Sequence, residues 1–149
     1  MSTARPAMTV VVISDYGGGP ADDWTYLRAT LRAIAEQDFD EPVEVVLVDA
    51  SPAGQPMPAD LPALVPALRI LTGDASICEL LNQAARAAAS DWIGLVDGDC
   101  VPEPGWIRAA VEVSRVRPDA VAVSGRTRYP DRCVTYRIVE GRGTAAVGA

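Results

Sequence analysis

Residues 92–99 read Trp-Ile-Gly-Leu-Val-Asp-Gly-Asp, an apolar run that ends in two aspartates separated by one glycine. A short apolar run bounded by turn residues is typical of a strand buried in a sheet. The same pattern occurs in residues 8–14, Met-Thr-Val-Val-Val-Ile-Ser, and in residues 43–49, Val-Glu-Val-Val-Leu-Val-Asp. The sequence therefore predicts three buried strands, each of which places a polar side chain at its carboxyl end.

Amphipathic helices are predicted between these strands. The first has its apolar residues at helical spacing, the second opens with the capping-box pattern Ser-x-x-Glu at residues 76–79, and Pro104 can begin the third. Alternating strands and helices predict an α/β fold with a mostly parallel, Rossmann-like sheet and helices on both faces. The predicted elements are a strand at 8–14, a helix capped by Asp22 or Asp23 with Trp24, Leu27, Leu31 and Ile34 on one face, strands at 43–49 and 68–71, a helix from Ser76, a strand at 92–97, a helix from Pro104 and a strand at 120–124.

Length and composition predict one domain. The chain has 149 residues, of which 49% are hydrophobic and 22% charged, and this balance excludes a disordered acidic segment. We expect a leader at residues 1–7, an α/β domain at 8–130, and a tail at 131–149. The tail is expected to be poorly ordered or to begin an acceptor-binding half that this chain lacks.

Two residue types are missing, and their absence excludes several chemistries. The chain has no histidine, and all 13 of its basic residues are arginine. A histidine-based triad, a histidine-ligated zinc, a P-loop lysine and Schiff-base chemistry are therefore excluded. The net charge of −7 argues against nucleic acid as a partner.

The cysteines and the hydropathy pattern bear on localisation. Cys78, Cys100 and Cys133 form no CxxC pair, and an odd number of cysteines fits a reducing compartment better than a disulfide framework. No apolar stretch reaches the length needed to span a bilayer. We expect a cytoplasmic chain without a membrane span.

The strand ends concentrate carboxylates. Ligands of open α/β sheets bind outside the carboxyl ends of the strands, where Ser14, Asp49, Asp97 and Asp99 are expected. Two converging carboxylates repel each other unless a cation lies beside them, and Mg²⁺ or Mn²⁺ accepts oxygen ligands from carboxylates and from substrate phosphates. The pattern predicts a metal–diphosphate site. The structural alternatives are a surface Asp-Gly turn and, for Asp49, an acid that caps its own loop.

The sequence around the two aspartates is similar to that of a known enzyme family. Residues 97–106 read Asp-Gly-Asp-Cys-Val-Pro-Glu-Pro-Gly-Trp, and this D-x-D-x-x-P-x-P-G-W string after an apolar strand resembles the nucleotide-sugar site of family-2 glycosyltransferases. Weaker matches in the same order extend the resemblance over roughly residues 8–130. The resemblance implies a GT-A fold and transfer of a sugar from a nucleoside-diphosphate donor with inversion.

The resemblance also implies roles for single residues. Asp49 would hydrogen-bond the nucleobase, Tyr16 and Ser14 would line the base pocket, Asp97 would contact the ribose, and Asp99 would hold Mg²⁺ or Mn²⁺. Family frequency favours a UDP sugar as the donor, and the acceptor is not indicated.

The chain also departs from the family pattern. The family's general base lies in a later segment, and no acid here has matching context, although Asp131 and Glu140 lie in the tail. The alternative function is therefore a non-catalytic or truncated domain that binds a nucleotide sugar without transferring it. Gly17–Gly19 lacks the G-x-G-x-x-G spacing of a dinucleotide site, and a haloacid-dehalogenase-type phosphatase would need a lysine.

Overall fold

The computed structural model describes residues 5–14, 24–50, 57–73, 75–128 and 144–146. Across these ranges, no helix has both the length and the apolar character needed to cross a membrane. Two compact units are distinguished, residues 1–107 and 108–149. The elements are β1 (Met8–Ser14), α1 (Thr25–Ala35), β2 (Val43–Asp49), a 3₁₀ turn (Leu61–Leu64), β3 (Arg69–Thr72), α2 (Ile77–Arg86), β4 (Ile93–Asp97), α3 (Trp106–Val116), β5 (Ala122–Ser124) and β6 (Thr144–Ala146).

The first unit contains a four-stranded parallel sheet with the order β3-β2-β1-β4. The chain moves from β1 through α1 to β2, whereas it returns from β3 through α2 to β4 on the other side of β1. Because such crossovers are right-handed, this reversal places α1 and α2 on opposite faces of the sheet. The predicted α/β class, with a parallel sheet and helices on both faces, is confirmed.

Side chains that alternate along the strands cover both faces. Val11, Val46 and Val48 form a buried cluster with Leu80 and Ala84 of α2. The intervening positions of β1 and β2 point to the opposite face, on the side of α1. Those positions are buried as well, so a polar group can be accommodated mainly at the two ends of the strands.

The capping box of α2 is confirmed, whereas α1 begins differently from the prediction. The Ser76 side chain accepts a hydrogen bond from the Glu79 backbone, and the Glu79 carboxylate accepts one from the Ser76 backbone at 2.9 Å. The backbone and side-chain hydrogen bonds from Ser76 hold the pKa of Glu79 below its usual range. Helix α1 starts at Thr25 after Trp24, which has a positive φ of 61° and makes no side-chain cap. The predicted caps Asp22 and Asp23 lie outside the described residues.

The second unit carries a separate pair of strands. In residues 122–124 and 144–146, β5 and β6 pair in parallel, and Ala122 is in register with Thr144. The predicted fifth strand therefore forms, but its described partner is β6 and not the four-stranded sheet. The domain limits at 7/8 and 130/131 stay predictions, and most of residues 131–149 lies outside the described ranges.

A partly buried carboxylate, that of Glu44, links the strands at the amino end of the sheet. Glu44 Oε2 accepts hydrogen bonds from Thr9 Oγ1 at 2.7 Å and from the Ala89 backbone N–H at 2.8 Å. Its Oε1 forms an ion pair with Arg69 Nη1 at 2.8 Å. Ser90 Oγ completes the network, at 3.0 Å from Thr9 Oγ1. The network links β1, β2, β3 and the segment between α2 and β4, and no sequence motif predicted it.

Because Gly94 has no side chain, Trp106 can pack closely against β4. A methyl group at Gly94 would lie 2.7 Å from Trp106 Cη2 and would also overlap the end of the Met8 side chain. The methionine can rotate away, but the indole is rigid. Trp106 therefore packs directly on the strand that carries Asp97, and this contact holds the end of the intervening loop.

We expect Gly94→Ala to lower the free energy of unfolding by about 1–3 kcal/mol, because it overpacks the contact with Trp106. Gly105→Ala is a matched control, since a methyl group there has no neighbour within 4 Å. Urea denaturation of both variants measures the difference. If Gly94→Ala were as stable as Gly105→Ala, Trp106 would not be held against β4.

Candidate functional site

The parallel register gathers the predicted site residues at the carboxyl edge of the sheet. Ser14 on β1 is paired with Asp49 on β2, and Ile13 is paired with Asp97 on β4. All of these strands run in the same direction, but β2 is added on one side of β1 and β4 on the other. This reversal of strand order makes the edge between β1 and β4 the topological switch point, where open α/β sheets form a ligand crevice. Ser14, Asp49 and Asp97 thus lie at neighbouring strand ends.

Asp97 and Asp99 converge on one another. One side-chain ligand atom from each of Asp97, Asp99 and Cys100 lies within 4.8 Å of the other two. Both carboxylates are exposed, and Cys100 is partly buried. Residues 97–100 form a tight turn, in which the Cys100 N–H donates to the Asp97 carbonyl at 2.9 Å. Among the residues that the structure describes, these three are the one group of at least three acidic or cysteine side chains that lie close enough to share a metal ion.

The cysteine does not behave as an anion in this cluster. Burial raises the pKa of the Cys100 thiol, and the negative charges of Asp99 and Asp97 raise it further. A hydrogen bond to Asp99 acts in the same direction. At neutral pH the group is therefore a neutral thiol that donates to Asp99, and the two carboxylates supply the charge of the cluster. Such an oxygen-rich donor set suits Mg²⁺ or Mn²⁺ better than a soft, thiolate-binding metal.

Ser14 and Asp49 differ from the acidic turn because they are buried. Ser14 is 0% exposed and Asp49 is 8% exposed. The Ser14 hydroxyl finds no hydrogen-bond partner among the residues that the structure describes. A buried polar group without a partner is unfavourable, and one explanation for it is a ligand that supplies the missing bond. The pair therefore offers a sheltered polar edge beside the exposed acidic turn.

The segment directly after helix α1 supports the loop between the acidic turn and α3. The Gln37 amide donates to the Glu103 carbonyl at 2.8 Å, and its oxygen accepts from the Ile107 N–H at 2.9 Å. The Asp38 N–H donates to the Pro104 carbonyl at 2.8 Å. Gln37 thus satisfies one of the backbone donors that the first turn of a helix leaves open. The loop is therefore anchored at its far end to the segment after α1, as well as to β4 at its start.

The structure describes some of the predicted site residues and leaves others outside its ranges. Ser14, Asp49, Asp97 and Asp99 lie at the expected edge, whereas Tyr16 falls outside the described residues, as do the tail acids Asp131 and Glu140. Sequence reasoning missed Cys100 as a neighbour of both carboxylates, although its place directly after Asp99 was a visible signal. It also missed Thr30 of α1, whose hydroxyl lies 2.9 Å from the Gly98 carbonyl.

Comparison with known proteins agrees with this geometry. The family model described as glycosyl transferase family 2 matches residues 11–145, which include both aspartates of the acidic turn. Among curated proteins, none matches the chain.

Solved structures share the fold. A crystal structure of S. aureus TarS superposes with a TM-score of 0.66 at 16% sequence identity, covering 87% of this chain and 23% of TarS. S. aureus TarS 1–349 in complex with UDP-GlcNAc superposes with a TM-score of 0.55 at 18% identity, covering 87% of this chain and 37% of that chain. The present chain therefore spans 23% and 37% of the lengths of these two chains, and identities of 16% and 18% show a shared fold alone.

Proposed function

The chain belongs to glycosyl transferase family 2, and from this membership we propose that the carboxyl edge of its parallel sheet binds a nucleoside-diphosphate sugar as the donor for inverting glycosyl transfer. The observation that carries the proposal is the convergence of Asp97 and Asp99 at the switch point between β1 and β4. The UDP-GlcNAc complex of S. aureus TarS 1–349, which has a similar fold, supports a UDP sugar as the first donor to test.

The acidic turn fits a divalent cation. In this proposal Asp99 holds Mg²⁺ or Mn²⁺ and Asp97 contacts the ribose. Two exposed carboxylates beside a neutral thiol leave coordination positions for water and for diphosphate oxygens. When bound, the cation would neutralise negative charge on the leaving diphosphate. The turn's own contribution is to hold Asp99, for the metal, and Asp97, for the ribose, at a fixed place at the edge of the sheet.

The buried edge fits the nucleobase. In this proposal the Asp49 carboxylate accepts a hydrogen bond from the base, and the Ser14 hydroxyl, with Tyr16, lines the pocket. Support comes from the burial of Asp49 and from the Ser14 hydroxyl, which lacks a partner in the described part of the chain. A ligand amide or carbonyl would satisfy that hydroxyl, so base binding would remove an unfavourable buried group.

Transfer itself needs a further group. Inversion requires a base that takes a proton from the acceptor on the sugar face opposite the diphosphate. The acids that the tail offers, Asp131 and Glu140, lie outside the described residues. The competing function is donor binding without transfer. Transfer of the sugar from UDP-GlcNAc to an acceptor by the purified chain separates the two, whereas slow hydrolysis is compatible with both.

A thermal-shift experiment tests donor binding. UDP, Mn²⁺ and both together are added to the chain, and melting temperatures are compared. Because the diphosphate and the Asp99 carboxylate both contribute ligands to one coordination shell, we expect UDP and Mn²⁺ together to raise the melting temperature by more than the sum of the separate shifts. At concentrations of about 100 times the dissociation constant, the increase is about 5–10 °C. An equal shift from UDP in the presence of EDTA would contradict a metal-dependent site.

A further inference from the structure

Three hydrogen bonds fix the turn that carries Asp97 and Asp99. The Gly98 N–H donates to the Ile13 carbonyl at 2.8 Å, and the Cys100 N–H donates to the Asp97 carbonyl at 2.9 Å. Both bonds join backbone groups. The third bond comes from a side chain. Thr30 Oγ1 donates to the Gly98 carbonyl at 2.9 Å.

Thr30 lies on the buried side of α1. It is 0% exposed and shares that side with Leu27, Leu31 and Ile34. Its hydroxyl also lies 3.1 Å from the Tyr26 carbonyl, one helical turn earlier, which is the usual acceptor for a threonine within a helix. A hydroxyl has one proton to donate, and the Gly98 carbonyl is the nearer of the two acceptors.

The Gly98 carbonyl belongs to the peptide group that leads into Asp99. A peptide group is planar, so a bond that fixes its carbonyl also fixes the neighbouring Asp99 Cα. The Gly98 N–H fixes the preceding peptide group, which follows Asp97. The directions in which the two carboxylates leave the backbone therefore depend on both bonds.

We propose that Thr30 is a positioning residue of the donor site, whose hydroxyl holds the Gly98–Asp99 peptide so that the two carboxylates converge. The expected effect of Thr30 on affinity for metal and nucleotide rests on the proposed function. Its structural part, an ordered turn, does not depend on that function. Gly98 is buried, so its carbonyl would lack a ready substitute donor if the hydroxyl were removed.

Three variants test the inference. Thr30→Val removes the hydroxyl with almost no change in shape, and Thr30→Ser keeps it. Thr9→Val is a matched control, because Thr9 is also 0% exposed and also hydrogen-bonded, but lies at the amino end of β1. Amide hydrogen exchange of Gly98 and Cys100 is measured without ligand, and the dissociation constant of UDP is measured with Mn²⁺.

For Thr30→Val we expect about 10-fold faster exchange of the Gly98 and Cys100 amides than in the parent chain, while exchange in β1 and β2 follows global stability. We also expect about 10-fold weaker Mn²⁺-dependent UDP binding, as for other groups that orient a metal ligand. Thr30→Ser should restore both values, and Thr9→Val should lower stability without changing UDP affinity of the folded chain.

Other results would overturn the inference. Unchanged exchange and affinity in folded Thr30→Val would show that the hydroxyl bonds only within α1. Faster exchange throughout the sheet would show a general role in stability. If the parent chain bound no UDP with Mn²⁺, the proposed donor site and the role of Thr30 in affinity would both fail, whereas the exchange of Gly98 and Cys100 would still decide whether Thr30 orders the turn.

Discussion

Replacing Asp99 with alanine is expected to weaken Mn²⁺-dependent UDP binding by more than about 100-fold while the chain stays folded. Loss of a group that only orients a metal ligand costs about 10–100-fold in metal affinity, and loss of the ligand itself should cost more. Asp99 is exposed, and its removal leaves Asp97 without a like charge beside it. We therefore expect the free energy of unfolding without ligand to change by no more than about 0.5 kcal/mol, or to increase.

Asp91→Ala is the matched control for this variant, because it removes the same exposed charge from the segment that precedes β4. UDP titrations with Mn²⁺ and with EDTA measure the effect in both. Asp97→Ala should weaken nucleoside binding more than metal binding, since its proposed contact is with the ribose. Unfolding of Asp99→Ala, or equal affinities of Asp99→Ala and Asp91→Ala, would make Asp99 a structural residue.

Replacing Glu44 with alanine is expected to produce the opposite result, a loss of stability without a loss of affinity. Glu44 accepts from the buried Thr9 hydroxyl and the Ala89 N–H and pairs with Arg69. Alanine leaves these groups without their acceptor. Because Arg69 remains partly exposed to water, we expect a decrease of about 2–4 kcal/mol in the free energy of unfolding, below the cost of breaking a fully buried pair.

Glu36→Ala removes an exposed glutamate at the end of α1 and should change stability by less than about 0.5 kcal/mol. Urea denaturation measures stability, and UDP titration at low temperature measures the affinity of the folded fraction. If Glu44→Ala were as stable as Glu36→Ala, the network at the amino end would not stabilise the sheet.

The two ends of one sheet thus differ in how their polar groups are satisfied. At the amino end, the Glu44 carboxylate has partners for both of its oxygens within the chain. At the carboxyl end, Asp97 and Asp99 face each other across an exposed turn, and the Ser14 hydroxyl is buried without a partner in the described ranges. A carboxylate with partners for both of its oxygens contributes to stability, whereas two exposed carboxylates that converge, and a buried hydroxyl without a described partner, are available to a ligand.

The strands and their polar ends could be predicted because they depend on local patterns. The apolar runs at 8–14 and 43–49 end where the strands end, and the capping box at Ser76 forms as its residues indicate. Parallel pairing then places the carboxyl ends of these strands side by side, and this placement does not depend on the conformation of the loops. The position of Asp97 next to β1 follows from this pairing.

The contacts that support the turn could not be predicted because they join residues far apart in sequence. Thr30 and Gly98 are separated by 68 positions, and a threonine among the apolar residues of α1 does not indicate its acceptor. Glu44 is a single charged residue at the start of an apolar run, and the run gives no indication of the groups that it contacts. Its partners come from three other segments, so its burial depends on the tertiary fold.

The most direct test of a donor site at this edge is paramagnetic broadening of backbone amide signals by Mn²⁺ in the presence of UDP. We predict that substoichiometric Mn²⁺ broadens the amide signals of Gly98, Asp99 and Cys100 first, and that those of Thr9 and Ala89 at the amino end stay sharp. EDTA should reverse the effect. Broadening centred on other acidic residues, or equal broadening at both ends of the sheet, would contradict the placement of the metal and diphosphate at the acidic turn.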